Sequence, residues 1–162
     1  EMTSSLVGSE MCIRDRDRDI KKEQGVYNML ITKEIDYSLR MLSALASGEQ
    51  MTMGDICSRE WIPQQFGYKI LKKLARAGMV SIIRGNGGGC RLCCDLRQVT
   101  LYELVQAVGS EPLIAACMEP EYECTRRLQN HNCCAIHHNL TSIQRTLEEE
   151  LKKHTLGELI EI

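Results

Sequence analysis

Apolar residues recur along the chain with a helical rhythm, interrupted once by a short β-branched stretch, and this alternation predicts a mostly helical protein carrying one hairpin. Ile35, Leu39, Leu42 and Ala46 share one face of a first helix, which Thr32 can cap and Gly48 can close. Glu34 and Asp36 fall in its first turn, where the helix dipole favours carboxylates. Thr52-x-x-Asp55 resembles a capping box and opens a two-turn helix that ends near Arg59. After a turn at Trp61 and Ile62, Pro63 suits a first helical turn and Gly78 a left-handed stop. Between them Phe66, Ile70, Leu74 and Ala77 line one side, and Gln65, Tyr68, Lys69, Lys72 and Arg76 the other.

Residues 80–84 read as a strand, the glycines at 85, 87, 88 and 89 as a tip, and residues 90–92 as the returning strand. A fourth helix starts at Thr100-x-x-Glu103, presents Leu101, Leu104, Val105 and Val108, and stops at Gly109. Periodicity is then lost until Ile136, Leu140, Ile143, Leu147 and Leu151 trace a stripe about 20 residues long, roughly 30 Å of helix. Thr155-x-x-Glu158 caps a last turn.

Helix, short helix, turn, helix and hairpin in that order predict a mainly α fold. The expected fold is a winged helix-turn-helix domain with a two-stranded wing and a long C-terminal dimerisation helix. The expected organisation is a leader at 1–28, the DNA-binding domain at 29–109, a cysteine-bearing loop at 110–133, and the dimerisation helix with its terminal turn at 134–162. The leader is polar, alternates Arg and Asp over 14–19, and is similar over 5–16 to translated adapter sequence. It is therefore expected to be disordered or non-native, with Met29 as the natural start. A two-fold dimer through the long helix would set two recognition helices about 34 Å apart, matching a near-palindromic operator. The alternative is that this helix folds back on its own domain.

Composition sharpens this picture. At 162 residues with 43% hydrophobic residues, the chain can bury one core. No run approaches the roughly 18 apolar residues of a membrane span, and no stretch resembles a signal peptide, so no membrane partner and a cytoplasmic location are expected. The net charge is −2, yet residues 61–97 carry seven basic side chains against Asp95 alone, a local +6. Such concentration suits double-stranded DNA, although a solvated lysine-rich face would share it. There is no nucleotide-binding glycine motif and no nucleophile with a placed base, so no enzyme is expected. Nine cysteines without an export signal point to metal ligands or redox groups rather than a disulfide framework.

These residues resemble the winged-helix regulators of the IscR, NsrR, RirA and CymR type, the Rrf-two (Rrf2) family. The resemblance runs from Met29 to about Leu159 and is carried by the opening at 30–40, the segment at 62–71, and the wing Arg84-Gly-Asn-Gly-Gly-Gly89. The family usually follows that wing with an aromatic, where this chain has Cys90. The resemblance implies that the recognition helix enters the major groove and that the wing brings Arg84, Gly85 and Asn86 to the minor groove. Gln64, Gln65, Tyr68 and Lys69 then lie near base edges, while Lys72 and Lys73 meet phosphates.

Members of the family that sense iron-sulfur status carry three cysteines in the loop before the long helix. The matching residues are Cys117, Cys124 and Cys134, with Cys133 an alternative third ligand and Cys134-x-x-His137 a family-like ending. The gaps of six and nine intervening residues exceed the commoner family spacing. The resemblance implies a 2Fe–2S or 4Fe–4S cluster, three thiolates leaving a fourth position for a labile ligand. That ligand is Asp36 of the partner subunit or, alternatively, His137. Two rivals stand: a cluster-free regulator acting by thiol oxidation or through a partner enzyme of cysteine metabolism, and a zinc-stabilised interaction module on the same residues.

Overall fold

Four threonines set the helical frame. In the computed structural model, which describes residues 31–85, 87–109, 113–131 and 133–162, the side chains of Thr32, Thr52, Thr100 and Thr155 each accept a backbone N–H at a helix start. They open α1 (Lys33–Ala44), α2 (Met53–Arg59), α4 (Leu101–Ala107) and α7 (Leu156–Leu159). At Thr100 and Thr155 the reciprocal glutamates, Glu103 and Glu158, complete full capping boxes. The expected leader at 1–28 and Asn86 lie outside the described residues.

The recognition helix α3 (Gln64–Arg76) follows Pro63, which stands at the N-cap position just ahead of it. Its packed face differs from the expected one. Phe66 and Ala77 are exposed, and Gly67, Ile70, Leu71 and Leu74 are buried instead. The reason lies in α2: a Cβ on Gly67 would sit 2.7 Å from Cys57 Sγ and 2.8 Å from Met53 Cε, so the glycine lets the two helices approach where a side chain would hold them apart. Phe66 packs its ring at the rim against Tyr37, centroids 6.1 Å apart.

The wing consists of β1 (Val80–Ile83) and β2 (Gly89–Leu92), antiparallel, with Ser81 opposite Arg91 and Ile82 opposite Cys90. Met51, in the α1–α2 connection, adds an antiparallel bridge to Cys90, exchanging hydrogen bonds of 3.0 and 2.8 Å. Gly89 is required by this approach, since a Cβ there would lie 2.4 Å from the Met51 carbonyl oxygen. Cys90, standing where the resembling family has an aromatic, is fully buried and acts as a small apolar plug beneath the hairpin.

One core joins these elements. Ile35, Leu42, Leu45, Ile56, Ile70, Leu74, Leu104, Val105 and Leu156 are wholly buried, each stabilising the fold by roughly 1.5–3 kcal/mol. The segment expected to be a cysteine-bearing loop, 110–133, contains among its described residues a 3-10 turn (Ala116–Met118) and the short helix α5 (Thr125–Gln129). The long helix α6 (Ala135–Lys153) divides its work. Its C-terminal half packs on α4 and sends Leu147 and Leu151 to the core, while Ile136 and Ile143 stay more than half exposed. The C-terminal turns of α6 thus fold back on their own domain, and its first turns leave Ile136 and Ile143 exposed.

Candidate nucleic-acid interface and cysteine loop

The first turns of α3 present Gln64, Gln65 and Tyr68 to solvent, with Tyr68 54% exposed. Lys69 and Lys72 are exposed one turn further along. Helix α3 carries no side-chain cap at its start. At the wing, Arg84 and Gly85 are exposed at the end of β1, and Gly85 has φ 107°, which a side chain would strain. Two long-range contacts hold the hairpin in place: Gln50 Nε2 donates to the Gly87 carbonyl at 2.6 Å and Arg91 Nε to the Gly48 carbonyl at 3.1 Å. The wing is thus tied to the α1–α2 connection, and β1 packs beside α3.

Lys73 behaves differently from its neighbours. It is largely buried, and its ammonium donates both to Glu34 of α1 and to the Val108 carbonyl at the end of α4. Lys69 also pairs with Glu34 while remaining 59% exposed. Burial alone would raise the Glu34 carboxyl, but the hydrogen bonds and charges of the two lysines outweigh it and hold the group below its ordinary range. Sequence reading missed these ties, because 35 and 39 residues separate the partners and no local spacing signals them.

The cysteines fall into two populations. Burial pushes the thiols of Cys57, Cys90 and Cys94 up, as for inert apolar side chains. Cys134 is the opposite case, standing at the N-cap position of α6, where the backbone N–H of His137, the N–H of Ile136 and the Arg126 guanidinium hold its thiol below the usual value. With Cys133, His137, His138 and Arg145 it lines an open cleft of about 810 Å³. The Nδ1 atom of His137 is buried and finds no hydrogen-bond partner among the described residues.

Cys117 sits in the 3-10 turn and Cys124 at the N-cap position of α5. Among the described residues, no three His, Cys, Asp or Glu side chains converge closely enough to hold a metal ion. The donor chemistry at Cys134 and His137 suits a soft metal, but the single chain does not assemble the three-thiolate set. Asp36 is also engaged, its two oxygens taking 3.1 and 3.0 Å contacts from Nε and a terminal nitrogen of Arg40. No described helix is long and apolar enough to cross a membrane.

A helix-turn-helix followed by a two-stranded hairpin and a long trailing helix defines the class of winged-helix DNA-binding regulators. The model of the Rrf2 family, described as iron-dependent transcriptional regulators, matches residues 31–162, and the chain belongs to that family. It is thus a DNA-binding transcriptional regulator, not an enzyme, and members of the family bind DNA and typically dimerise. It is 30% identical over 142 residues to the HTH-type transcriptional regulator NsrR of Bacillus subtilis, covering 82% of this chain and 90% of that protein. It is 30% identical over 135 residues to protein aau3 of Rhizobium meliloti, covering 82% and 85%. Among solved structures, the B. subtilis global cysteine regulator CymR matches with a TM-score of 0.58 at 20% identity, covering 81% of this chain and 95% of that one. The IscR of T. potens matches with a TM-score of 0.55 at 16% identity, covering 85% and 90%.

Proposed function

We propose that this regulator reads a near-palindromic operator as a cytoplasmic homodimer, with Gln64, Gln65, Tyr68 and Lys69 at base edges and Lys72 on phosphate. The wing residues Arg84, Gly85 and Asn86 lie at the minor groove. The observation that carries this reading is the exposed polar start of α3, with the exposed Lys69 and Lys72 further along it, beside a wing tied to the α1–α2 connection. Ile136 and Ile143, exposed on α6, provide the apolar stripe that a second copy covers. Changing Lys72 to Gln tests the phosphate role: the slope of log affinity against log salt should flatten by about one unit without a change in sequence preference. An unchanged slope would remove Lys72, and with it this orientation of α3, from the interface.

The loop ahead of α6 is the proposed sensor, and Cys117, Cys124 and Cys134 the proposed ligands of an iron-sulfur cluster. Cys133 is the alternative third thiolate, and Asp36 of the partner subunit or His137 the alternatives for the fourth position. Two observations support a soft-metal role at its C-terminal end, the thiolate-favouring surroundings of Cys134 and the orphaned Nδ1 of His137. When bound, such a cluster would supply one-electron redox and ligand-exchange chemistry. Iron and labile sulfide analysis of anaerobically purified protein tests it. Both should be present in the wild type and lost in Cys124→Ala. Protein free of iron that still changes DNA affinity on thiol oxidation would transfer the sensory role to the Cys134 thiol itself.

A further inference from the structure

Among the described residues every ion pair made by the recognition helix ends on Glu34. Its carboxylate takes the ammonium groups of both Lys69 and Lys73, and its side chain is 23% exposed. Lys73 is held from the far side as well, by the Val108 carbonyl, so its charge is fixed in place between α1, α3 and α4. Lys69 has no such second anchor in view and is 59% exposed, on the same helix as Gln65 and Tyr68. The neighbouring acid of α1, Asp36, is occupied separately by Arg40. One carboxylate thus stands at the edge of a helix face whose charged side chains, among the described residues of α3, are all cations.

A carboxylate in that position acts on DNA in two ways. It cancels part of the lysine charge that any phosphate backbone would feel, and it repels a phosphate that approaches α3 from the α1 side. Sequence-independent affinity comes almost wholly from such charge, whereas operator affinity also draws on base contacts. The charge term is shared by both complexes, so binding to duplex of arbitrary sequence reports it without the base contacts. We infer that Glu34 sets the strength of sequence-independent DNA binding, weakening it by neutralising Lys69 and Lys73 at the edge of the DNA-facing helix. A merely structural ion pair would fasten α1 to α3 and leave the salt dependence of DNA binding untouched.

This inference rests on the proposed DNA-facing orientation of α3. The test compares the full-length wild type, Glu34→Gln and Glu150→Gln on a random-sequence DNA duplex by fluorescence anisotropy over a series of KCl concentrations. Glu150 is the matched control, a carboxylate paired with Lys153 at 2.7 Å on α6. Glu34→Gln should bind about fivefold more tightly at low salt, with a slope steeper by about one unit, and Glu150→Gln should match the wild type. In a Lys69→Gln background the gain from Glu34→Gln should shrink to less than half. Equal behaviour of the Glu34 and Glu150 variants, or a gain that persists undiminished without Lys69, overturns the inference. Glu34→Ala serves as a second variant if the glutamine melts below the working temperature. Should Lys72→Gln also leave the slope unchanged, the orientation of α3 falls and the inference with it. A flattened Lys72→Gln slope beside an unresponsive Glu34→Gln overturns the role of Glu34 alone.

Discussion

The DNA-binding half and the cysteine loop are built to opposite standards. Helices α1, α2 and α4 begin on threonine caps and meet in a core of wholly buried Ile, Leu and Val side chains. The 3-10 turn, α5 and α6 begin on Ala115, Cys124 and Cys134, none of which supplies a side-chain cap, and the turn and α5 bury no residue fully. Each cap contributes about 1 kcal/mol and each buried aliphatic somewhat more, so the two regions differ strongly in local stability. On the proposed reading, the difference matches the two tasks assigned to these regions. Reading a duplex requires side chains held at fixed spacing, while a sensor needs thiols that can be reached and rearranged. Two candidate ligands occupy the very positions where a stability-driven sequence would place Ser, Thr or Asp.

The sharpest way to break the comparison is to cut the core on one side and the loop on the other. Leu104→Ala, at a wholly buried position, should cost about 3 kcal/mol in urea denaturation, whereas Leu128→Ala on α5, 61% exposed, should stay within about 0.5 kcal/mol. Equal losses would mean that the loop is as tightly packed as the domain. Arg84→Ala comes next: loss of a groove contact should weaken operator binding by about 1–3 kcal/mol, read by gel shift on a promoter fragment, without lowering the melting temperature.

Glu34→Gln should cost about 1 kcal/mol of stability at neutral pH, discounted because Lys69 is mostly exposed. The folded-state carboxyl is held below its ordinary range. Its contribution is therefore present above the unfolded carboxyl's pKa and is lost as the pH falls through the folded one. The gap between wild type and variant should close in acid, and a gap that widens there would reverse the assigned cause. The smallest effect concerns Trp61, which is 81% exposed and held at φ 52°, a region costly for a bulky side chain. Trp61→Asn should raise stability by about 0.5–1 kcal/mol in the same denaturation assay.

Much of the fold was legible because its signals are local. Thr32, Thr52, Thr100 and Thr155 announce helix starts within three residues of themselves, and the positive-φ glycines at 48, 78 and 109 close α1, α3 and α4 where the pattern ends. The wing was legible for the same reason, β-branched residues flanking a run of glycines. The face of α3 was misjudged at Phe66 and Ala77 because periodicity locates an apolar stripe only to within a residue or so. The steric demand of Cys57 and Met53 on Gly67 decides the rest.

What the sequence by itself determined was the order of elements, the concentration of positive charge on α3 and the wing, and the presence of thiols before the long helix. Only the tertiary structure decided which charges are available. Glu34 takes up Lys69 and Lys73, Arg40 takes up Asp36, Gly48 takes up Arg91, and Cys134 becomes the thiol whose surroundings favour the thiolate. Capping, helical period and turn chemistry act over three or four residues and can be read along the chain. An electrostatic pairing depends on a separation in space, and the 35 residues between Glu34 and Lys69 carry no trace of it until the helices have packed.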